Sequence, residues 1–238
     1  MAKLKILSSG SIGNAYILEC NGERLLLDLG IKWNDILRGL NYDLSNITAC
    51  LVSHEHLDHS KSVPNALKSG LSVYSCQDVA NTYKGVKVLP MGVKTQIGGF
   101  KVQPLIVSHN TMCYAYIITH EEMGKLVFAT DCADFRYKIR GVHHWIIECN
   151  HCKELMLEHA LNNVYSMSAS ENHLEIGQTI DVLKNNFCVD TQTIVLCHLS
   201  QGNADEKEFE QRVKKELAFS NVYVAKPNLE IELNKSEF

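Results

Sequence analysis

The chain has 238 residues, of which 45% are hydrophobic, and this is enough for one large domain, residues 1–238, with a substantial core. Its formal net charge of −4 excludes a bulk positive field that attracts nucleic acid, so any such binding must depend on a local patch. The lack of a signal-peptide pattern and of a long apolar run, together with nine scattered cysteines, predicts a cytoplasmic protein with free thiols and no membrane association.

Apolar, strand-like runs alternate along the chain with amphipathic, helix-like runs. The predicted strands cover residues 4–7, 15–19, 24–27, 47–52, 72–75, 86–89, a hairpin at 96–106, 114–119, 125–129, 145–148, 191–197, 222–224 and 229–232. The predicted helices cover residues 33–40, 60–67, 77–83, 154–160, a stretch that contains 176–183, and 205–218. No repeat, linker or low-complexity tract divides the chain, which predicts a single α/β domain.

The first turn, residues 8–14, is rich in serine and glycine and reads SSGSIGN. The backbone N–H groups of such a turn can cradle an anion, although most turns of this kind have no ligand. Ser11 and Asn14 are therefore candidate contacts to a substrate, or supports for a site nearby.

The densest cluster of chemically functional residues is the run HEHLDH at residues 54–59, which directly follows an apolar strand. Because alternate residues of an extended loop point the same way, His54 and His56 can converge on one point while Asp58 and His59 reach a neighbouring one. Neutral imidazole is the commonest metal ligand, and a carboxylate completes a hard or borderline site. The run therefore predicts metal binding in a loop between a strand and a helix.

The pattern H-x-H-x-D-H of this run resembles the signature of the metallo-β-lactamase fold superfamily. Segments SGSIGN, ECNHC at 148–152 and CHLSQ at 197–201 resemble its WalJ (YycJ)-type branch of exonuclease-like proteins. The resemblance implies a four-layer αββα sandwich with two divalent metal ions. It also implies that Asp28, at the end of a predicted strand, orients the metal-binding loop, because a metal-bound histidine usually donates its other N–H to a carboxylate. The alternative for Asp28 is a simple turn residue.

Three more candidate ligands each follow an apolar strand. His109 fits the third ligand position of the superfamily, and His198 matches its last ligand motif. By the same resemblance, the two carboxylate oxygens of Asp131 bind one metal ion each. The alternatives are that Asp131 only caps a helix or a turn, or that Asp134 takes its place.

The segment ECNHC provides a candidate for the support of catalysis. In related tRNA-processing members of the superfamily a glutamate at this point supports a catalytic histidine, and Glu148 matches it. His173 is then a candidate general acid or phosphate contact, unless it only starts a helix. The two cysteines of the segment form an isolated C-x-x-C that we interpret as incidental, with a redox or metal role as the alternative. The candidate supporting or substrate residues are Asp28, Ser11, Asn14, Asn150 and His151.

Because the ends of strands in a common pair of sheets meet at one edge, we expect these segments to build one centre. By resemblance, the first metal ion binds His54, His56, His109 and Asp131, and the second binds Asp58, His59, Asp131 and His198. The ligand set is nitrogen and oxygen only, so Zn²⁺ and Mn²⁺ are both permitted. The candidate catalytic residues are Asp58, His173 and Glu148. A metal-bridging hydroxide would attack the electrophile, and His173, held by Glu148, would protonate the leaving alkoxide.

These features predict a binuclear metal-dependent hydrolase, most simply a phosphodiesterase or exonuclease that acts on DNA or RNA. The negative net charge favours one alternative, a small-molecule hydrolase of the same fold, such as a cyclic-nucleotide phosphodiesterase, a lactonase or a thioesterase. A second alternative is a metal-binding protein without activity, because the segment around His173 keeps only the His-Leu core of the branch motif G-H-L-S-N. Salt-dependent DNA binding separates the nuclease from the small-molecule hydrolase. The sequence indicates no oligomeric state.

Overall fold

A computed structural model describes residues 1–160 and 172–235. Within these ranges, two sheets of seven strands each form the centre of the fold. The first sheet contains β1 (Lys3–Ser8), β2 (Ala15–Cys20), β3 (Glu23–Leu27), β4 (Ile47–Leu51), β5 (Val73–Ser75), β6 (Lys87–Val88) and β14 (Glu230–Glu232). The second sheet contains β7 (Thr95–Ile97), β8 (Phe100–Val107), β9 (Cys113–His120), β10 (Gly124–Ala129), β11 (His144–Glu148), β12 (Thr193–Cys197) and β13 (Asn221–Val224).

Each sheet has an antiparallel half and a parallel half. The strand order is β14-β1-β2-β3-β4-β5-β6 in the first sheet and β13-β12-β11-β10-β9-β8-β7 in the second. Strands β3 to β6 are parallel, and so are strands β10 to β13. The carboxyl ends of β10, β11 and β12 therefore lie side by side at one edge of the second sheet. The antiparallel pairing of β8, β9 and β10 brings the carboxyl end of β8 to the same edge.

Helices cover the outer faces of both sheets. The described helices are α1 (Trp33–Gly39), α2 (Leu57–Ser60), α3 (Val63–Lys68), α4 (Gln77–Thr82), α5 (Lys153–Ala160), α6 (Ile176–Asn186) and α7 (Glu206–Glu216). Helices α1, α3 and α4 contact the first sheet, whereas α7 packs on β13 of the second sheet and α6 packs on α7. The predicted αββα sandwich is confirmed. Within the described part of the chain, no helix is long and apolar enough to cross a bilayer.

Aromatic side chains fill the space between the two sheets. Tyr16 of β2 and Phe128 of β10 are fully buried and meet edge to face, with ring centroids 5.5 Å apart. Tyr116 of β9 reaches the first sheet, where its hydroxyl donates to the main-chain oxygen of Val52 at 2.6 Å. The hydroxyl of Tyr16 donates to Oγ of Ser9 at 2.9 Å. These side chains bury large apolar surfaces, and burial contributes about 25 cal/mol of favourable free energy per Å². The hydroxyl groups of Tyr16 and Tyr116 remain hydrogen-bonded.

The predicted helix at 60–67 is wrong at its start. Helix α2 already begins at Leu57, so Asp58 and His59 lie in its turn rather than in a loop, and the chain breaks again before α3. Pro64 lies in the first turn of α3, and α2 cannot continue through it because proline has no N–H and clashes with the preceding turn. At the break, the N–H of Ser62 donates to the main-chain oxygen of Leu29 at 2.8 Å.

Besides Asn21 in the hairpin between β2 and β3, three non-glycine residues just beyond strand ends have a left-handed backbone conformation. They are Asp28 after β3, Asp131 after β10 and His198 after β12, with φ angles of 56°, 48° and 53°. For residues other than glycine this conformation costs roughly 1–2 kcal/mol, and such strain is concentrated at functional sites. All three are predicted site residues, so the strain marks the same edge of the sandwich.

Candidate metal centre

Asp28 contacts Ser53, directly before the run at 54–59, and His59 at its end. Its buried carboxylate accepts hydrogen bonds from the backbone N–H of Ser53 at 2.7 Å and from the Ser53 hydroxyl at 3.1 Å. Its Oδ2 lies 2.7 Å from Nδ1 of His59. When this nitrogen carries the proton, Nε2 of His59 keeps its lone pair for the centre. These contacts are the ones expected of a carboxylate that orients a metal-binding histidine.

A first group of possible ligands joins two strand ends of the second sheet to the run at 54–59. Its members are His54, His56, His109 and Asp131, with ligand atoms that all lie within 4.8 Å of one another. Nδ1 of His56 lies 3.0 Å from Nε2 of His54 and 3.4 Å from Nε2 of His109. Oδ2 of Asp131 lies 3.8 Å from Nε2 of His54 and from Nε2 of His109. Nitrogen ligands of a tetrahedral zinc ion are about 3.4 Å apart, so these separations suit one cation.

A second group lies beside the first. Its members are Asp58, His59, Asp131 and His198. Oδ1 of Asp131 lies 3.2 Å from Nε2 of His59 and 3.3 Å from Nε2 of His198. Oδ2 of Asp58 lies 3.5 Å and 3.6 Å from the same two nitrogens. The second group is therefore as compact as the first.

Asp131 belongs to both groups, and each of its oxygens faces a different one. Oδ2 faces the first group and Oδ1 faces the second. The side chain is almost fully buried, and its pKa is held well below the usual value because the charges of His198 and His59 outweigh the effect of burial. The rival candidate, Asp134, instead pairs with Arg136 and lies outside both groups.

His173 and Glu148 stand next to the second group, and with Asp131 and His198 they form a third set of potential ligand atoms that lie within 4.8 Å of one another. Nδ1 of His173 lies 2.6 Å from Oε1 of Glu148, which also lies 3.3 Å from Nδ1 of His198. The other oxygen of Glu148 accepts hydrogen bonds from the backbone N–H groups of Cys132 and Leu174, at 2.9 Å and 3.1 Å. Glu148 is fully buried, whereas the side chain of His173 is 18% exposed. His173 can therefore contact a substrate while Glu148 holds its ring.

The start of α6 fixes the segment that carries His173. The side chain of Glu175 accepts a hydrogen bond from the N–H of Gly177 at 2.7 Å, and Gln178 accepts one from the N–H of Glu175 at 3.0 Å. This reciprocal pair is a capping box, which satisfies two N–H groups that the first helical turn leaves unpaired. His173 thus precedes the helix rather than starting it.

The electrostatics and the donors of the site fit a divalent cation. Burial and the neighbouring imidazoles lower the pKa of His54, which keeps it in the neutral form that binds metals. Burial alone would lower the pKa of His198, but the charge of Asp131 and contacts with the other carboxylates raise it to about 10. The carboxylates therefore favour a positive charge at this point. Nε2 of His198 is buried and has no hydrogen-bond partner among the described residues, so it is suited to a further ligand bond.

The remaining candidates divide into residues that contact the groups and residues that do not. Nδ2 of Asn14 lies 3.0 Å from Nε2 of His59, and Nδ2 of Asn150 donates to the main-chain oxygen of His198 at 2.8 Å. Ser11 is exposed at the turn, and no contact ties it to either group in the described structure. His151 is buried, but it belongs to neither group. The two cysteines at 149 and 152 are also buried and lie in no ligand group of the described chain.

Sequence reasoning did not single out three residues that position the site. Ser53 links Asp28 to Nδ1 of His54, which lies 3.0 Å from its hydroxyl. Oγ of Ser9 accepts the N–H of His198 at 2.8 Å, and the main-chain oxygen of Asn172 lies 3.2 Å from Nδ1 of His109. A serine directly before the histidine run was a visible signal for Ser53. The serine-rich turn at 8–14 pointed to this region, but the pairing of Ser9 with His198 could not be predicted because the two lie 189 positions apart.

Comparisons with known proteins agree with this architecture. The family model described as "Anti-Pycsar protein Apyc1" matches residues 7–66. The exodeoxyribonuclease WalJ of Streptococcus pneumoniae is 25% identical over 222 residues, which cover 84% of this chain and 82% of that protein. The metallo-β-lactamase fold protein YhfI from Bacillus subtilis superimposes with a TM-score of 0.77 at 19% identity, over 97% of this chain and 98% of that one. A diphosphatase from the PhnP family has a TM-score of 0.69 at 14% identity, over 98% of both chains.

Two seven-stranded sheets between helices, with histidines and aspartates at one edge, form a metallo-β-lactamase fold like that of YhfI. In sequence the chain is similar to the WalJ/YycJ exodeoxyribonucleases, as the sequence motifs predicted. These relatives support the predicted enzyme class, a metal-dependent hydrolase of the nuclease or phosphodiesterase type.

Proposed function

We propose that this chain is a phosphodiesterase that hydrolyses nucleic acid with two divalent cations, Zn²⁺ or Mn²⁺. The observation that carries the proposal is the position of Asp131, whose two oxygens face two separate groups of four potential ligands. When bound, divalent ions would supply Lewis acidity, which would lower the pKa of a water molecule and stabilise negative charge on phosphate oxygens.

The ligand set supports two ions rather than one. The first group takes three histidines and Oδ2 of Asp131, whereas the second takes two histidines, Asp58 and Oδ1 of Asp131. Neither group contains a thiolate, and a nitrogen and oxygen set suits both zinc and manganese. Asp58 is also placed to orient a reacting water, because its side chain is 26% exposed at the edge of the second group.

His173 is the proposed general acid that protonates the leaving group. Burial alone lowers the pKa of His173, but its hydrogen bond to Glu148 and the charge of that carboxylate raise it overall. The ring is therefore protonated over a wider pH range and can give a proton to a leaving alkoxide. Glu148 acts through His173: it fixes the ring by a 2.6 Å contact and is itself held by two backbone N–H groups.

The choice of nucleic acid as the substrate rests on the relatives named exodeoxyribonucleases. A small-molecule phosphodiesterase is the second candidate, because the net charge of −4 disfavours long-range attraction of a polyanion. The two candidates differ in what they require beyond the metal centre, since only a polymer substrate needs a binding surface that extends away from it.

Elemental analysis combined with substrate assays tests the proposal. We expect two equivalents of zinc or manganese per purified chain, and hydrolysis of single-stranded or double-stranded DNA or RNA. Hydrolysis of cyclic nucleotides alone would favour the second candidate. One equivalent of metal at full activity would contradict the two-ion arrangement, and full metal occupancy without hydrolysis of any of these substrates would overturn the proposal.

A further inference from the structure

One groove on the second sheet concentrates positive charge. Five cationic side chains line this groove, whose volume is about 540 Å³: Lys94, Lys101, Lys125, Lys138 and Arg140. No acidic side chain lines it, and none of the five has an ion-pair partner among residues 1–160 and 172–235. Arg136, just outside, is by contrast paired with Asp134. The groove is thus a cationic surface without direct ion pairs on a chain whose net charge is −4, although Lys101 and Lys125 also border a neighbouring cavity that contains Glu23 and Glu121.

Uncompensated like charges repel, and their repulsion destabilises the surface that holds them. Four of the five side chains are exposed, and Lys125 is half-buried, with its ammonium group hydrogen-bonded to the main-chain oxygen of Arg140. An anionic partner relieves this repulsion, and a polyanion does so at several positions at once. The arrangement of charge therefore indicates a partner with repeated negative groups.

The groove also contains apolar and aromatic surface between the cations. Leu105 and Ile117 belong to its lining, and so does the half-buried Tyr137. A cationic track with aromatic surface is the combination that binds single-stranded nucleic acid, because the cations bind phosphates while bases stack on aromatic rings. Every nucleotide brings a flat base that can stack on the ring together with its phosphate, so a nucleic acid uses both features at each step along the strand.

Two chain segments lead from the metal centre to this groove. Strand β8 carries Lys101 and Leu105 in the groove and ends just before His109 of the first ligand group. The segment after β10 carries Asp131 at the centre and Tyr137 in the groove. The Tyr137 hydroxyl donates to the main-chain oxygen of Ile106 at 2.8 Å, and the N–H of Ala133 donates to the main-chain oxygen of Ser108 at 2.7 Å, so the two segments contact each other at two points.

We propose that this groove, defined by its five cations, binds the phosphate backbone of a single-stranded nucleic acid and leads the strand to the metal centre. The inference rests on the proposed phosphodiesterase function and adds the surface that selects a polymer over a small molecule. Lys101 precedes His109 by eight residues, which sets an upper limit of about 27 Å on their separation. A polymer substrate can contact the far end of the groove and the metal centre at the same time, which a substrate of one nucleotide does less readily.

The double variant Lys101→Glu/Lys138→Glu tests the inference. The matched control is Lys68→Glu/Lys84→Glu, which makes the same charge change at two exposed lysines on the other side of the sandwich, near α3 and α4. Binding of a fluorescent single-stranded DNA of about 20 nucleotides is measured by anisotropy over a range of salt concentrations. Hydrolysis of the same DNA and of bis-p-nitrophenyl phosphate is measured in parallel.

We expect the groove variant to bind DNA at least about tenfold more weakly and to show a flatter salt dependence, since each lost phosphate contact removes about 0.7 from the slope. Its KM for the long DNA should rise, while its turnover of bis-p-nitrophenyl phosphate and the DNA binding of the control variant stay unchanged.

Equal losses in the groove and control variants would overturn the inference, and so would binding to phosphatidylserine vesicles without binding to DNA. If the wild-type protein hydrolyses DNA but the groove variant does so equally well, the inference fails and the proposed function stands. If the wild-type protein binds DNA through the groove but hydrolyses no phosphodiester, the groove is supported and the proposed function fails.

Discussion

The ring of His173 is stacked on the ring of His198, with centroids 5.3 Å apart and planes 13° apart. Both rings contact Glu148, so one buried carboxylate positions a candidate proton donor and a candidate metal ligand. The contacts are unequal, since Oε1 lies 2.6 Å from Nδ1 of His173 and 3.3 Å from Nδ1 of His198. Changes at Glu148 should therefore affect the proton donor before they affect the ligand.

The first prediction concerns Glu148→Gln. A general acid must be protonated, so activity falls as pH rises through the pKa of His173. Glu148 raises that pKa, and its neutral replacement removes the charge, so the alkaline limb of the kcat/KM profile should move to lower pH. Metal content measured on the same sample serves as the control. An unchanged alkaline limb in a metal-loaded variant would contradict the role of His173.

His173→Ala should lower turnover without loss of metal, because His173 lies outside the two groups that we propose to bind the ions. Removal of a general acid typically costs about 10²–10⁴-fold in rate. The loss should be smaller for a substrate with a good leaving group, such as bis-p-nitrophenyl phosphate, than for DNA. A fall in metal content would instead indicate that His173 is a metal ligand.

His56→Ala should abolish hydrolysis and remove the ion of the first group, while the fold is retained. His56 lies at the N-terminal end of α2 with a partly exposed ring, so its loss leaves no core cavity. Elemental analysis, circular dichroism and hydrolysis of bis-p-nitrophenyl phosphate give the three readouts. Unchanged turnover would contradict the assignment of His56 as a metal ligand.

Asp28→Asn tests how the centre is oriented. The asparagine side chain could still contact Ser53, but the substitution removes the charge that faces Nδ1 of His59. Loss of such a supporting partner typically weakens metal affinity by about 10–100-fold. Competition with a chelator measures this affinity, and the ion of the second group should be lost first. Equal retention of both ions would show that His59 is oriented by other contacts.

Gly30→Ala should destabilise the protein, because a Cβ at this position would lie 1.6 Å from the main-chain oxygen of Asp58. The backbone on one side must shift, which typically costs about 1–3 kcal/mol of unfolding free energy. Gly202→Ala is the matched control, since nothing lies within 4 Å of the added carbon. Thermal unfolding of both variants is the measurement, and equal midpoints would contradict the close contact.

The sequence was most informative where ligands follow strands. His109, Asp131 and His198 each stand directly after an apolar run, and parallel or antiparallel pairing brings those ends to one edge, as predicted. The start of the helix after the histidine run was predicted wrongly, since helical periodicity over 60–67 concealed the break that Pro64 imposes. That the whole chain forms one domain stays a prediction.

Long-range contacts were the part that the sequence could not predict. Ser9 and His198 are separated by 189 positions, so their hydrogen bond follows only from the folded sheets. The same is true of the cationic groove, because its five side chains are spread over residues 94–140 and form no basic tract in the sequence. The net charge of −4 favoured the alternative of a small-molecule substrate, and the groove that we propose for a polymer is formed only in the folded chain.

The order of the ligands along the chain has a consequence for biosynthesis. All members of the first group have been synthesised once residue 131 has left the ribosome. The second group is complete only after synthesis of His198, which directly follows β12. Strand β12 lies between β11 and β13, so the second sheet must be nearly complete before that group exists. If the proposed two-ion centre is correct, a prematurely terminated chain that lacks β12 can complete only the first group, and the second ion must bind after translation of nearly the whole polypeptide.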